Sequence, residues 1–259
     1  MYPDGYGYVH HYSVVVNGSN AVFCVPPKNS CSLIKFISIT GQKPELEGVF
    51  IRNPSAVHRY THLAVVKQRN EIWNARRPIA LIRDPHKRLA SAFISKFILF
   101  PEDEVLRSIL DISETRLEDM TFRNFVNTLL TIPDEWLDAH FISQSAFLIR
   151  QPSDYQLLDM DSATFSTFIQ ERFTEKGKSF YIANEDAESR IFGPKLYSNE
   201  KDGVFVDTTV KKLRYYRENG LNLLKHNFYN DELYRNCAAR FSCDANLYAS
   251  TQVSSTNDA

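Results

Sequence analysis

The chain has 259 residues, enough for one large domain with a sizeable core. Hydrophobic residues make up 43% and charged residues 24%, and the formal net charge of −1 leaves no global basic field to hold nucleic acid or a membrane surface. Any anionic ligand must be held by local basic residues, and no run approaches the roughly 18 apolar residues of a membrane span.

Met1 to His11 is rich in Tyr and His and lacks the apolar core of a signal peptide. Residues 1–20 are expected to form an N-terminal extension. Ala21 to Val25 is a short apolar run followed by Pro-Pro-Lys-Asn-Ser, the pattern of a buried strand entering a turn. From Ser32 to Ile39, Leu33, Ile34, Phe36 and Ile37 recur at helical spacing, so the first unit is strand, loop, helix. Pro44, Gly48 and Pro54 break Gly41 to Ser55 into an expected loop. His58 to Trp73 is expected to hold a short strand or turn, then irregular or helical structure.

Pro78 to Ile82 is the second buried strand, ended by Arg83-Asp84-Pro85. Pro85 suits the first turn of a helix and Asp84 its cap. Leu89, Ala92, Phe93, Phe97 and Ile98 continue at helical spacing, giving a second strand, loop, helix unit. Glu104 to Leu130 is expected to form two helices broken near Ser113, and Asp134 to Gln144 an irregular crossing. Tyr155 to Met160 is a third strand. Asp161 to Phe173, Val210 to Leu224 and Asn230 to Phe241 are expected helices. From Ser250 onward the composition is mostly Ser, Thr, Asn and Asp with no core residues, and residues 246–259 are expected to form a frayed tail. Strands alternating with helices predict an α/β fold: a single domain over residues 21–245, with a mostly parallel central sheet flanked by helices.

Cys24, Cys31, Cys237 and Cys243 contain no CxxC pair, which argues against a zinc site. Cys237 and Cys243 are close enough to pair in oxidising surroundings. Without a secretion signal, two free thiols near a helix end is the simpler reading.

The chemistry concentrates in two loops. In Pro27-Lys28-Asn29-Ser30-Cys31-Ser32-Leu33, a helix start exposes unpaired backbone N–H groups, which bind phosphate readily. Lys28 adds a charge and Ser32 a hydroxyl. The GxxxxGK[ST] pattern is absent, so this is a P-loop in physics and not in wording. In Arg83-Asp84-Pro85-His86-Lys87-Arg88-Leu89-Ala90-Ser91-Ala92-Phe93, Arg83 stands at the carboxyl end of a strand, where open α/β sheets bind ligands. Its guanidinium can clamp a phosphate with two hydrogen bonds. Ser91 lies about two turns along the helix that follows.

Val25-Pro26-Pro27-Lys28-Asn29-Ser30-Cys31-Ser32 resembles the 5'-phosphosulfate loop of sulfotransferases that use 3'-phosphoadenosine 5'-phosphosulfate (PAPS). Arg83-Asp84-Pro85 through Arg88-Leu89 and Ser91-Ala92-Phe93 resembles their 3'-phosphate segment, with the family's separation of eight between Arg and Ser. The wording, followed by Lys96-Phe97, is most similar to the Golgi carbohydrate sulfotransferases of the chondroitin/dermatan, HNK-1 and heparan 2-O types. Asp138-Ala139-His140 with Gln144-Ser145, and Tyr229 to Tyr234, carry weaker similarity. The departures are Ser30 and Ser32 at positions where the family favours a small residue and Thr, and His86-Lys87 in place of an aromatic-acidic pair.

The resemblance implies a P-loop-like strand-loop-helix for PAPS, with PAP as product and no metal. It implies that Lys28 contacts the leaving-group oxygens, that Asn29, Ser30, Cys31, Ser32 and Leu33 line the 5'-phosphate, and that Arg83 and Ser91 hold the 3'-phosphate. His62, 21 residues before Arg83 in a Thr-His-Leu setting, is the expected base; His58 and His140 are alternatives, and so is a carboxylate. His58, His140 and Gln144 are candidate acceptor contacts. Arg76 and Arg77 suit a solvated turn. Trp73 and Trp136 could each floor a sugar site or fill a core. The expected activity is sulfuryl transfer to a hydroxyl or amine of a carbohydrate or other small hydroxylated acceptor. The expected location is cytoplasmic, or the Golgi lumen for a chain trimmed of an anchor. The rival readings are a catalytically silent PAP-binding protein and a divergent nucleotide-dependent phosphotransferase. The sequence is silent on oligomeric state.

Overall fold

The structure, a computed structural model, describes residues 13–16, 21–65, 69–76, 78–167, 179, 180, 183, 194–199 and 201–254. The chain divides into two compact units, one of residues 1–83, 144–187 and 246–259, the other of residues 84–143 and 188–245. The chain passes from one to the other several times, so no linker-like stretch marks the division.

The first unit holds a four-stranded sheet in the order β1 (Ser13–Val16), β2 (Ala21–Cys24), β3 (Ile79–Ile82), β4 (Gln156–Asp159). β2, β3 and β4 run parallel, as the α/β reading expects, and β1 pairs antiparallel with β2. All four residues of β3 are buried, as in a parallel strand covered on both faces. Ser13–Val16 is therefore not part of a separate extension: its run of valines suits a strand, and it extends the sheet.

Helix Cys31–Gln42 follows β2, with Leu33 to Thr40 all buried. Its Leu33, Ile34, Phe36, Ile37 and Ile39 pack with Phe23, Val25, Leu81 and Leu158 in one core cluster. The stretch expected as a loop at 41–55 is instead mostly helical turns, Pro44–Leu46 and Glu47–Arg52, followed by the 3₁₀ helix Pro54–Leu63. Pro44 and Pro54 start turns here, where their missing N–H costs nothing. Helix Arg69–Asn74 completes the approach to β3. After β4 a helical turn covers residues 163–167, and the rest of the helix expected there, residues 168–173, lies outside the described residues.

The second unit is mostly helical. Helix Pro85–Phe93 has Asp84 as its cap, accepting from the His86 and Lys87 N–H groups, with Pro85 in the first turn as expected. It passes into a π-helical turn, Ile94–Leu99, so the long helix predicted there changes pitch midway. Helices Asp103–Ser113 and Phe122–Leu129 match the expected break at Ser113. Their core is aromatic: Phe93 meets Phe97 at 4.9 Å and Phe125 at 5.2 Å.

Helix Val210–Glu218 is shorter than the sequence pattern predicts. Gly220 (φ 93°) ends it, and Leu221–Asn222 forms a strand beside Tyr197–Ser198. Helix Asp231–Arg240 follows, capped by Asn230. Of the tail expected to fray, residues 246–254 lie in a helix, Ser242–Ser254, with Leu247 and Thr251 buried, and residues 255–259 lie outside the described residues.

Candidate functional site

β2 and β3 are parallel neighbours, so the loops that leave them emerge at the same edge of the sheet. The first loop bends sharply. Lys28 (φ 69°) and Ser30 (φ 58°) both take the left-handed conformation, which costs a non-glycine residue about 1–2 kcal/mol. Such alternation turns successive N–H groups toward one side, the geometry of an anion-binding concavity. Cys31, Ser32 and Leu33 form the first helical turn, where the helix itself supplies no carbonyl for their N–H groups. Ser30, the cap residue, makes no side-chain cap bond. The loop thus presents backbone donors, the Ser32 hydroxyl and the partly exposed Lys28.

Asn29 points the other way. It is fully buried, and its amide nitrogen donates to the Leu81 carbonyl at 2.7 Å and to Gln144 Oε1 at 2.5 Å. Its Oδ1 is, among the described residues, the buried side-chain polar atom left without a hydrogen-bond partner. Asn29 is therefore the peg that fastens the loop to β3.

Gln144, an expected acceptor contact, is also fully buried. Its Oε1 accepts the Arg83 N–H at 3.0 Å and its Nε2 donates to the Arg83 carbonyl at 2.9 Å, as a neighbouring strand would. The side chain fixes the backbone at the end of β3.

Arg83 is 6% exposed. Its Nη1 donates to the Lys28 carbonyl at 3.0 Å, so the two basic residues singled out in the sequence are neighbours. Its Nε and Nη2 donate to the two carboxylate oxygens of Asp161 at 3.1 and 3.2 Å. The sequence gives no hint of Asp161, which lies 78 residues away.

Among the histidines of the 3₁₀ helix Pro54–Leu63, His58 Nε2 lies 2.9 Å from Ser32 Oγ. His62 is exposed and stacks on Tyr60. In this unit Trp73 is 56% exposed, and Arg76 is exposed; Arg77 lies outside the described residues. Burial pulls the Lys35 ammonium below the usual lysine range, and the nearby Cys31 thiol partly offsets this. Burial pushes the Cys24 thiol up to about 12, which keeps it protonated.

Ser91 lies on helix Pro85–Phe93 in the second unit, part-exposed. In the same unit Arg88 is buried and donates to the carbonyls of Ile142 and Ala139, pinning the segment that carries His140. His140 Nδ1 pairs with the Asp138 carboxylate. Burial acts to raise that carboxyl, but the His140 hydrogen bond and charge outweigh it and hold it below the ordinary aspartate value. Trp136 is 58% exposed, so neither tryptophan fills a core. All four cysteines are free.

Chemically, the first unit sets a helix start with Lys28 beside a braced guanidinium, two groups of the kind that can hold anions. Among the described residues no cluster of three or more His, Cys, Asp or Glu side chains could hold a metal ion, and no helix is long and apolar enough to cross a membrane. A sequence model of the Sulfotransferase family matches residues 12–173, more than half of the chain, spanning β1 to β4 and both loops. Comparison with curated proteins and with solved structures returns no match.

Proposed function

The chain belongs to the sulfotransferase family, and from that premise we propose that it moves a sulfuryl group from PAPS to a hydroxyl or amine, with a carbohydrate as the favoured acceptor class. One observation carries the reading: Lys28 and Arg83 leave the carboxyl ends of adjacent parallel strands and touch through the 3.0 Å bond from Arg83 Nη1 to the Lys28 carbonyl. The residues fit the donor. A concave run of N–H groups beside an ammonium suits a 5'-phosphosulfate, and a fixed guanidinium suits a 3'-phosphate.

PAPS, when bound, supplies the sulfuryl group and leaves as PAP. The Lys28 ammonium neutralises charge building on the departing phosphate oxygen. The first-turn N–H groups of Cys31, Ser32 and Leu33 and the Ser32 hydroxyl orient the 5' end. Arg83 anchors the 3' end. The acceptor oxygen or nitrogen bonds to sulfur as the sulfur–oxygen bond to the leaving phosphate breaks, and the acceptor proton passes to a histidine of the Pro54–Leu63 helix.

Position 21 residues before Arg83 and exposure to solvent support His62 as that histidine. The contact of His58 with Ser32 Oγ supports a second reading in which His58 takes the proton. The test is turnover of labelled PAPS with a panel of sugar acceptors, run for the parent chain, His62→Ala and His58→Ala. The base variant should lose about 10²–10⁴-fold in transfer with PAP affinity kept. A parent chain that binds PAP and transfers nothing to any acceptor would favour a silent nucleotide-binding protein.

A further inference from the structure

We propose that Asp161 is a positioning residue that aims the Arg83 guanidinium, and that it thereby sets the preference for a 3'-phosphorylated nucleotide; this rests on the donor reading above. The carboxylate takes one edge of the guanidinium, Nε and Nη2, in a two-bond grip. The Lys28 carbonyl takes one N–H of Nη1. Arginine has five N–H donors, so beyond these three bonds one N–H remains on each terminal nitrogen. The plane of the fork is fixed from two sides, and the remaining pair suits bidentate contact with a phosphate.

Asp161 is itself fastened to the sheet. β4 pairs with β3 so that Asp159 stands opposite Ile82, and the Met160 N–H donates to the Ile82 carbonyl at 2.9 Å. Asp159 then accepts the Asp161 N–H at 2.9 Å, while the Ser162 hydroxyl donates to the Asp159 carbonyl at 2.6 Å. Gln252 from the C-terminal helix donates to the other Asp159 oxygen at 3.1 Å. The tight turn after β4 thus presents a carboxylate beside Arg83 through strand register and local bonds. A side chain on a flexible loop could not hold a fork in one plane in this way.

Preorganisation predicts a selective effect. Asp161→Asn keeps size and one acceptor but turns an NH₂ group toward the guanidinium, breaking the two-bond grip. By calorimetry, PAP affinity should fall about tenfold while affinity for adenosine 5'-phosphate, which lacks the 3' group, stays within about twofold. Asp161→Glu should recover part of the PAP preference. A PAP preference that is unchanged or larger in Asp161→Asn would overturn the proposal, the larger value marking Asp161 as a competitor for Arg83. Equal loss for both nucleotides would reduce Asp161 to a structural residue. Equal affinities in the parent chain would remove the donor reading itself, a failure separable from that of Asp161.

Discussion

Gln144→Leu removes the brace at the end of β3 while keeping most of the side-chain volume. In the parent chain the Gln144 amide satisfies the N–H and carbonyl of Arg83 and one bond of Asn29. Asn29 keeps its bond to the Leu81 carbonyl. The variant strands two backbone groups of a residue only 6% exposed. Each buried polar group left unsatisfied costs about 1–3 kcal/mol, so the pair should cost about 2–6 kcal/mol. For a chain of this size 1 kcal/mol shifts the melting temperature by about 2–4 °C, so Tm should fall by at least about 4 °C. Thermal melting followed by circular dichroism, with urea unfolding beside it, reads this directly. Gln144→Glu keeps the acceptor but sets a carboxylate against the Arg83 carbonyl. Its deficit should shrink in acid, as the carboxyl gains a proton to donate. A Gln144→Leu protein within about 1 °C of the parent would refute the bracing role, because the two orphaned groups would have to be satisfied some other way.

Lys28→Ala and Lys28→Gly should both lower sulfuryl transfer about 10²–10³-fold, while the glycine variant is the more stable by about 1 kcal/mol because it relieves the left-handed backbone; equal stabilities in urea unfolding would contradict the strain. Asp84→Ala should cost about 1 kcal/mol of stability at pH 7 through loss of the helix cap. Burial acts to raise the Asp84 carboxyl, but hydrogen bonds from His86 and Lys87 outweigh it and leave it below the ordinary aspartate value. Its contribution is therefore full above the unfolded value and lost as pH falls through the folded one, so the gap between variant and parent should narrow below about pH 4. Urea unfolding at pH 7 and pH 3 checks this, and a constant gap counts against it. Gly220→Ala places a methyl 3.0 Å from Leu196 side-chain atoms at φ 93°, and should destabilise by about 1–2 kcal/mol in chemical unfolding.

The parallel strands were legible because each is a short apolar run closed by turn residues. The Asp84-Pro85 cap was legible because both residues act locally. Lys28 and Arg83 share an edge because each follows a strand of one parallel pair, and the strand-loop-helix units behind that pairing are local patterns. What was not legible depends on distant pairing. Asp161 meets Arg83 through the β3–β4 register, and the bracing role of Gln144, named in the sequence only as a candidate acceptor contact, is set by Arg83 61 residues away. Prolines misled at Pro44 and Pro54, where they begin helical turns. The C-terminal helix hides in a Ser/Thr/Asn-rich composition with few apolar positions, Leu247 among them. The helix expected over Val210 to Leu224 stops at Glu218, because Gly220 takes φ 93° and Leu221–Asn222, in a leucine-rich stretch that also suits a helix, pairs as a strand.

On the proposed function, the Lys28 loop and Arg83 together hold a nucleotide bearing both a 5' and a 3' anionic group. Calorimetric titration of PAP and of adenosine 5'-phosphate into the parent chain and Arg83→Ala tests it most directly. The parent should bind PAP at least about tenfold more tightly, and Arg83→Ala should bind the two alike. Equal affinities in the parent, or an undiminished preference in Arg83→Ala, would contradict it.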